Sequence, residues 1–138
     1  LPLAVLFTGR AGVHFVSLLL ERVDVRLADK HRVRNHIGSV HASAMNLLAE
    51  TATGMAVGMN VRDDCLPLAK ELSMAFKKRA TGALKAVATL TAEQRAAMQA
   101  SDKGEVQVKV TVTDETGVEP VECAFTWAWV PSSRPAKN

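Results

Sequence analysis

Hydrophobic and polar residues alternate along several stretches of the chain. Alternation with a period of two places one face of a strand in the core and the other in water. Val23, Val25 and Leu27 alternate with charged neighbours, and four valines between Val106 and Val112 do the same with polar residues. The stretches predicted as strands are 22–27, 72–77, 83–90, 106–113 and 121–129.

From His41 to about Val57 the pattern becomes that of a helix with almost no polar face. A helix that is apolar nearly all round is usually buried in its own protein. Its polar residues form one narrow stripe, because Ser43, Asn46, Glu50 and Thr53 are spaced as helical neighbours. The spacing therefore predicts a buried helix with a single polar line along it.

Turn and cap signals divide the rest of the chain. Gly54 and Gly58 either end the buried helix or allow a close backbone contact. The segment 91–94 reads Thr-Ala-Glu-Gln, which predicts a capping box that opens a short helix. The segment 114–117 predicts a turn, and the residues from Pro131 onward predict a polar, loose tail.

The predicted order is a strand, one long buried helix and four further strands. Strands joined in sequence by short turns form an antiparallel sheet, and one face of that sheet must cover the apolar helix. The chain has 138 residues, enough for one domain with its own core. These patterns predict a single α+β domain over 1–138.

The composition limits the kinds of molecule that this protein is expected to bind. The net charge is only +3, and there is no tyrosine among the few aromatic residues, which argues against a surface that binds nucleic acid by stacking bases. A mildly basic surface fits a small ligand that carries phosphates. The apolar opening, Leu1 to Phe7, is too short to span a bilayer, so we expect no membrane partner.

Cysteine and histidine spacing predicts no metal site. Cys65 and Cys123 stand alone, and His31, His36 and His41 repeat every five residues rather than at the i, i+4 spacing of a helical zinc pair. Free thiols favour a reducing compartment. We therefore expect a cytoplasmic protein, or a mitochondrial one if a targeting segment preceded Leu1 and was removed.

The segment 34–51 resembles the active-site segment of hotdog-fold acyl-CoA thioesterases, closest to the phenylacetyl-CoA thioesterase-like branch. In that branch an Asn, a short loop and His-Gly-Gly are followed by Leu-Ala-Asp or Leu-Ala-Glu, nine residues after the His. Asn35, His41 and Glu50 fall at the matching positions. Ala42-Ser43 stands where that branch has Gly-Gly. With this replacement the segment also resembles an uncharacterised subgroup of the same superfamily. The resemblance implies a curved antiparallel sheet wrapped around one long central helix.

The resemblance also implies a chemistry. Glu50 would be the general base or the nucleophile, and the backbone N–H of Ala42 at the helix start would stabilise the oxyanion. Asn35 and His41 would orient water or polarise the thioester carbonyl. In this family the carboxylate acts across a dimer interface, which implies a homodimer or a dimer of dimers. CoA enters only as part of the substrate, and no separate cofactor is implied.

Further residues are candidates for binding the substrate. They are the loop glycine Gly38, the stripe residues Ser43, Asn46 and Thr53, the neighbouring hydroxyl residue Thr51, and the basic residues Lys77 and Arg79. The basic pair has two interpretations: it binds the phosphates of CoA, or it is a solvated strand end whose charges discourage pairing.

Alternative interpretations stay open at this point. Glu50 could be a solvated or interface-paired helix residue, and His41 could cap the helix. A non-catalytic acyl-binding domain would keep the same fold. The remaining alternative is an enoyl-thioester hydratase or dehydratase of the same fold, whose active-site loop has an Asp-His pair five residues apart. No Asp lies between Asn35 and His41, so this reaction is disfavoured.

Overall fold

The computed structural model describes residues 13–27 and 37–132, with side chains from Ala42 onward in the second range. These residues form six strands and two helices. In chain order they are β1 (Val13–Leu19), β2 (Arg22–Leu27), α1 (Ile37–Asn60), β3 (Cys65–Phe76), β4 (Leu84–Thr89), α2 (Ala92–Ala100), β5 (Gly104–Thr113) and β6 (Val121–Pro131).

The six strands form one sheet in the order β1-β2-β4-β5-β6-β3, and every neighbouring pair is antiparallel. The simple prediction of strands paired in sequence is therefore wrong for β3. This strand lies at the far edge beside β6, separated from β4 by two strands. Only backbone pairing between distant segments decides such an order, so local alternation carried no sign of it.

The long helix α1 packs against the sheet and forms the core with it. Leu48, Ala49 and Val57 of α1 are fully buried, as predicted from its apolar pattern. The alternating valines of β5 are buried as well. The core of this α+β domain therefore lies between one helix and the sheet that covers it, as the resemblance implied. Neither of the two described helices is long and apolar enough to cross a membrane.

A glycine of α1 lets a tryptophan of the sheet approach the helix closely. A Cβ added at Gly54 would lie 2.8 Å from Cη2 and 2.9 Å from Cζ2 of Trp127. Real Cβ atoms do not come so near, so the indole occupies the space that a side chain would need. The predicted close contact at Gly54 is confirmed, and Trp127 is a core residue on β6.

Both ends of α1 extend beyond the predicted bounds. The helix begins at Ile37 and continues through Gly58 to Asn60. At its end the buried Asn60 side chain donates to the carbonyl oxygens of Leu20 at 2.7 Å and Ala56 at 2.9 Å. The Gln99 side chain of α2 donates to the Asn60 carbonyl at 2.5 Å. These tertiary bonds satisfy groups that a helix end otherwise leaves unpaired, which explains why Gly58 does not end the helix.

Two local predictions are confirmed as they stand. Thr91 is the N-cap of α2, and its side chain and that of Gln94 exchange the two bonds of a capping box. The turn after β5 is built on Asp114, whose carboxylate accepts bonds from the N–H groups of Thr81, Thr116 and Val118. Burial acts to raise the pKa of Asp114, but the Thr116 hydroxyl, which donates to the carboxylate at 2.7 Å, and these N–H bonds outweigh it and hold the pKa below its ordinary value.

Two strands were predicted incompletely, for a shared reason. β1 was not predicted, and β3 begins at Cys65 rather than at Leu72. Each strand contains a register shift, between Phe15 and Ser17 in β1 and between Ala69 and Glu71 in β3. A bulge inserts one extra residue and breaks the period of two, so the alternation that identifies a strand is lost there.

Candidate active site

Glu50 lies in the middle of α1 and is half-buried. Its carboxylate has no ion-pair or hydrogen-bond partner within the described ranges. Ser43, one end of the polar stripe, is exposed, and Asn46 and Thr51 are half-buried like Glu50. The stripe thus runs along a side of α1 that the protomer's own sheet leaves partly open.

Asn46 contributes an unsatisfied acceptor to this stripe. Its Oδ1 atom is fully buried and accepts no hydrogen bond from the part of the chain that the structure describes. A buried carbonyl oxygen without a donor costs free energy. Asn46 lies one helical turn before Glu50, so a donor that satisfied it would sit beside the carboxylate.

Thr53 is part of the core rather than of the open stripe. It is fully buried, and its hydroxyl accepts a bond from Trp127 Nε1 at 2.8 Å while donating to the Ala49 carbonyl at 2.9 Å. This corrects the expectation that Thr53 contacts the substrate. The helical spacing assigned Thr53 to the end of the polar stripe, but its hydroxyl is hydrogen-bonded to Trp127 on the sheet.

The start of α1 changes the position of the expected oxyanion donors. Because the helix begins at Ile37, Ala42 lies more than a turn inside it, where a backbone N–H bonds to the carbonyl four residues earlier. The assignment of the oxyanion donor to the Ala42 N–H is corrected accordingly. Free N–H groups belong to the first turn of a helix, and Gly38, predicted in a loop, lies in that turn.

Two of the predicted catalytic side chains fall beyond what the structure describes. Asn35 lies outside the described residues, and for His41 only the backbone, within α1, is described. Their positions relative to Glu50 remain predictions.

The Glu50 carboxylate and the start of α1 are far apart within one protomer. Thirteen residues separate Ile37 from Glu50, which at the rise of an α-helix is roughly 20 Å along its axis. Ala42 and Glu50 are separated by about 12 Å on the same measure. A single thioester carbonyl therefore cannot reach both the helix start and the Glu50 of one copy.

An apolar wall lies on the helix-facing side of β3. Leu72, Met74 and Phe76 of β3 pair with Phe125, Cys123 and Val121 of β6 and share their helix-facing side. Leu72 and Phe76 are nonetheless about half exposed, at 47% and 52%. The sequence pattern predicts only an alternating strand here, and the exposure of these residues is a consequence of the edge position of β3.

The second half of α1 lies beside the end of β6. Gln99 contacts the last residue of α1, and Ser101, just after α2, accepts from Trp129 Nε1 at 3.0 Å. The end of α1 and the end of β6 thus lie together, and Gly54 lies against Trp127.

The basic residues follow the apolar wall directly. Lys77 succeeds Phe76 at the end of β3, and its Nζ lies 3.7 Å from a Glu122 carboxylate oxygen. Arg79 is exposed, with no ion pair to any residue in the described ranges. Positive charge is thus available at the same end of the sheet as the first half of α1, partly offset by Glu122.

Cys123 lies on the helix-facing side of β6 opposite Met74. Burial raises the pKa of its thiol to about 11, so the thiol is protonated at neutral pH and is not a nucleophile there. Among the described residues no group of His, Cys, Asp and Glu side chains is placed to hold a metal ion.

Residues 3–130 match the family described as Domain of unknown function (DUF4442). The chain belongs to the DUF4442 family. Its fold is that of the hotdog thioesterase superfamily, as solved structures show. A Pseudomonas aeruginosa protein of unknown function, described as a probable thioesterase, is 27% identical with a TM-score of 0.80 over 91% of this chain and 87% of that one.

Two more distant structures share the fold of this DUF4442 protein. A thioesterase from Haemophilus influenzae is 12% identical with a TM-score of 0.74, over 95% of this chain and 87% of that one. A mutant thioesterase from Pseudomonas aeruginosa is 18% identical with a TM-score of 0.71, over 91% and 86%. No curated protein matches the chain. The predicted fold class, α+β with a hotdog sheet around a central helix, is confirmed.

Proposed function

We propose that this DUF4442 protein hydrolyses an acyl-CoA thioester to the free acid and CoA. The observation that carries the proposal is Glu50: a half-buried carboxylate without an ion-pair partner in the described ranges, on the polar stripe of the long central helix. The thioesterase descriptions of similar structures support the reaction type. The acyl group would lie along the wall, and the CoA phosphates near Lys77 and Arg79.

In this mechanism Glu50 acts as general base. It takes a proton from water as the water oxygen attacks the thioester carbonyl carbon. The carbonyl oxygen becomes negative and is stabilised by free N–H groups in the first turn of α1. The C–S bond then breaks, the carbonyl re-forms, and the departing CoA sulfur takes the proton. As a nucleophile, Glu50 would instead attack the carbonyl carbon and expel the CoA thiolate as the C–S bond breaks, and water would then hydrolyse the resulting mixed anhydride to the free acid and the Glu50 carboxylate, with the proton released by water passing to CoA.

The reaction requires two copies of the chain. The helix start and Glu50 of one copy are roughly 20 Å apart along α1, so the amides must come from one protomer and the carboxylate from the other. We therefore propose a homodimer, alone or as a dimer of dimers, in which Asn35 and His41 of one copy lie near Glu50 of its partner. The open side of the stripe is where that partner would be placed.

Replacing Glu50 with glutamine tests the proposal. Glu50→Gln keeps the shape of the side chain and removes the proton acceptor, so turnover should fall by about 10² to 10⁴, the usual contribution of a general base. The measurement is steady-state thiol release from a panel of acyl-CoAs. Glu119→Gln, at an exposed position in the loop before β6, is the matched control and should keep wild-type turnover.

Thermal melts accompany both variants. Equal turnover in folded wild-type and Glu50→Gln proteins would contradict the role of Glu50. If the wild-type protein binds acyl-CoA but releases no thiol from any member of the panel, the protein is an acyl-binding domain instead.

A further inference from the structure

An open cleft lies where α1 ends, away from Glu50. It has a volume of about 480 Å³ and lies between the turn that joins β1 to β2, the end of α1 and one side of α2. Asn60, which lines it, is ten residues after Glu50, or roughly 15 Å further along the helix axis. The volume is within the range of small-molecule sites, and the proposed reaction does not use this region.

Arg95 supplies the cleft with a positive charge that is held in place. Its side chain is half-buried, and its Nε donates to Asn60 Oδ1 at 3.2 Å. Asn60 is itself buried and fixed, because its Nδ2 donates to the carbonyl oxygens of Leu20 and Ala56. The guanidinium is thus oriented before any ligand arrives, which lowers the entropic cost of binding.

The terminal nitrogens of Arg95 are available to a ligand. Neither makes a hydrogen bond or an ion pair with any residue in the described ranges. The two acidic residues next in sequence to the lining residues, Glu21 and Glu93, are exposed and form no ion pair in those ranges either. An arginine oriented through Nε presents its two terminal nitrogens as a planar fork, the geometry that binds a carboxylate by two parallel bonds.

The helix ends beside the cleft also favour an anion. Ala92, the first residue of α2, lines the cleft, and the first N–H groups of a helix carry partial positive charge without a partner inside the helix. At the end of α1, where carbonyl groups would repel an anion, the Asn60 carbonyl accepts a bond from the Gln99 side chain at 2.5 Å.

The remaining lining of the cleft is apolar. Leu20 is 49% exposed, Met59 is half-buried, and Ala92 and Ala96 lie one turn apart on the exposed side of α2. Large exposed hydrophobic side chains occur in two places in the described ranges: on β3, and at four of the positions 16–20 that end at Leu20. An apolar patch beside an oriented charge is typical of a site for a ligand with one polar end.

We propose that this cleft binds a monocarboxylate with an aliphatic chain. The carboxylate accepts hydrogen bonds from the terminal nitrogens of Arg95, and the chain lies over Met59 and Leu20. The free acid that thioester hydrolysis would release belongs to this chemical class. Binding in the cleft does not depend on that activity, because no lining residue belongs to the proposed catalytic site.

The charge of the cleft favours a carboxylate over a phosphate ester. Arg95 is the only cation among the described lining residues, so one negative charge is balanced and a second is not. Glu21 and Glu93 lie close in sequence to the lining and would repel a dianion more strongly than a monoanion.

Calorimetric titration of the full chain tests the ligand class. The probes are the sodium salts of saturated acids with four, six and eight carbons, together with octanol and octyl phosphate. Affinity should rise with chain length by at most about fourfold for each added methylene, the value for complete burial of that group. Octanol and octyl phosphate should each bind at least tenfold more weakly than octanoate.

Charge variants test the position of the carboxylate. Arg95→Gln should weaken octanoate binding at least tenfold, and Arg95→Lys, which keeps the charge and loses the fork, should weaken it less. Arg62→Gln is the matched control. Arg62 is a half-buried arginine outside the lining of this cleft, paired with Asp64 at 2.8 Å, so its loss should leave octanoate affinity unchanged.

A second pair of variants leaves the Arg95–Asn60 hydrogen bond intact. Ala96→Phe fills the cleft from the exposed side of α2 and should abolish octanoate binding. Ala97→Phe makes the same change at the next exposed position, which does not line the cleft, and should keep wild-type affinity. Thermal melts show which variants are folded, and Ala96→Phe decides the matter if Arg95→Gln is not.

The outcomes separate this inference from the hydrolase proposal. Octanoate affinity that is unchanged in folded Arg95→Gln or Ala96→Phe protein would overturn the site, whether or not thiol is released. Octanol or octyl phosphate binding as tightly as octanoate would overturn the carboxylate assignment. Octanoate binding that requires Arg95, in a protein that releases no thiol from any acyl-CoA, would support the cleft and overturn the hydrolase.

Discussion

Gly54→Ala tests the packing that holds the long helix α1 against the sheet. The added methyl carbon would lie 2.8–2.9 Å from two ring carbons of Trp127. The ring cannot swing away freely, because its Nε1 donates to the buried Thr53 hydroxyl at 2.8 Å. Either α1 moves outward, which also displaces Glu50 one turn earlier, or the hydrogen bond breaks.

The magnitude follows from two opposing effects. Overpacking a well-filled core costs about 1–3 kcal/mol, and losing the indole bond instead would cost a similar amount, about 1–3 kcal/mol. Alanine is a better helix former than glycine by about 1 kcal/mol. We expect a net loss of roughly 1–2 kcal/mol in the free energy of unfolding, or about 3–7 °C in Tm for a domain of this size.

The assay is urea and thermal denaturation, in a cycle with Trp127→Phe. Phenylalanine lacks both clashing carbons, so in that background Gly54→Ala should become neutral or stabilise by up to about 1 kcal/mol. The sign of the effect should therefore reverse. A stabilising effect in the wild-type background, or an equal penalty in both, would refute the packing argument.

Three further predictions concern stability and reactivity. Because the pKa of Asp114 is held below its ordinary 3.8, the carboxylate's contribution to the free energy of unfolding is present above that pH and is lost as the pH falls through the folded value. Asp114→Asn should therefore lower Tm at pH 7 and flatten the acid limb of a curve of Tm against pH. An unchanged acid limb would contradict this. Thr53→Val should cost about 1–3 kcal/mol by leaving the Trp127 N–H unpaired, whereas Thr53→Ser keeps the hydroxyl and should lose less; equal losses would count against the bond. With a pKa of about 11, Cys123 in a Cys65→Ser background should react slowly with iodoacetamide at pH 8 and faster as the pH approaches 11. Urea-unfolded protein is the control, and rapid alkylation of the folded protein at pH 8 would exclude the raised pKa.

Much of the fold follows from local chemistry. The valines of β5 alternate with polar residues and are buried as predicted, and the capping box at Thr91 forms from residues three apart. The apolar character of α1 alone required that a sheet cover it. Glu50 could be selected because a carboxylate is rare in such a helix, and because the spacing to Asn35 and His41 resembles a known active-site segment.

Features that depend on distant partners were not determined by the sequence alone. Thr53 and Glu50 belong to the same polar spacing, yet Trp127, 74 residues further along the chain, buries one of them. The bulge in β3 concealed a strand whose place at the sheet edge arises from pairing with β6. Short-range patterns report which face of a segment is apolar, whereas strand order, helix ends and the burial of single polar groups depend on the hydrogen bonds and volumes that remote segments supply.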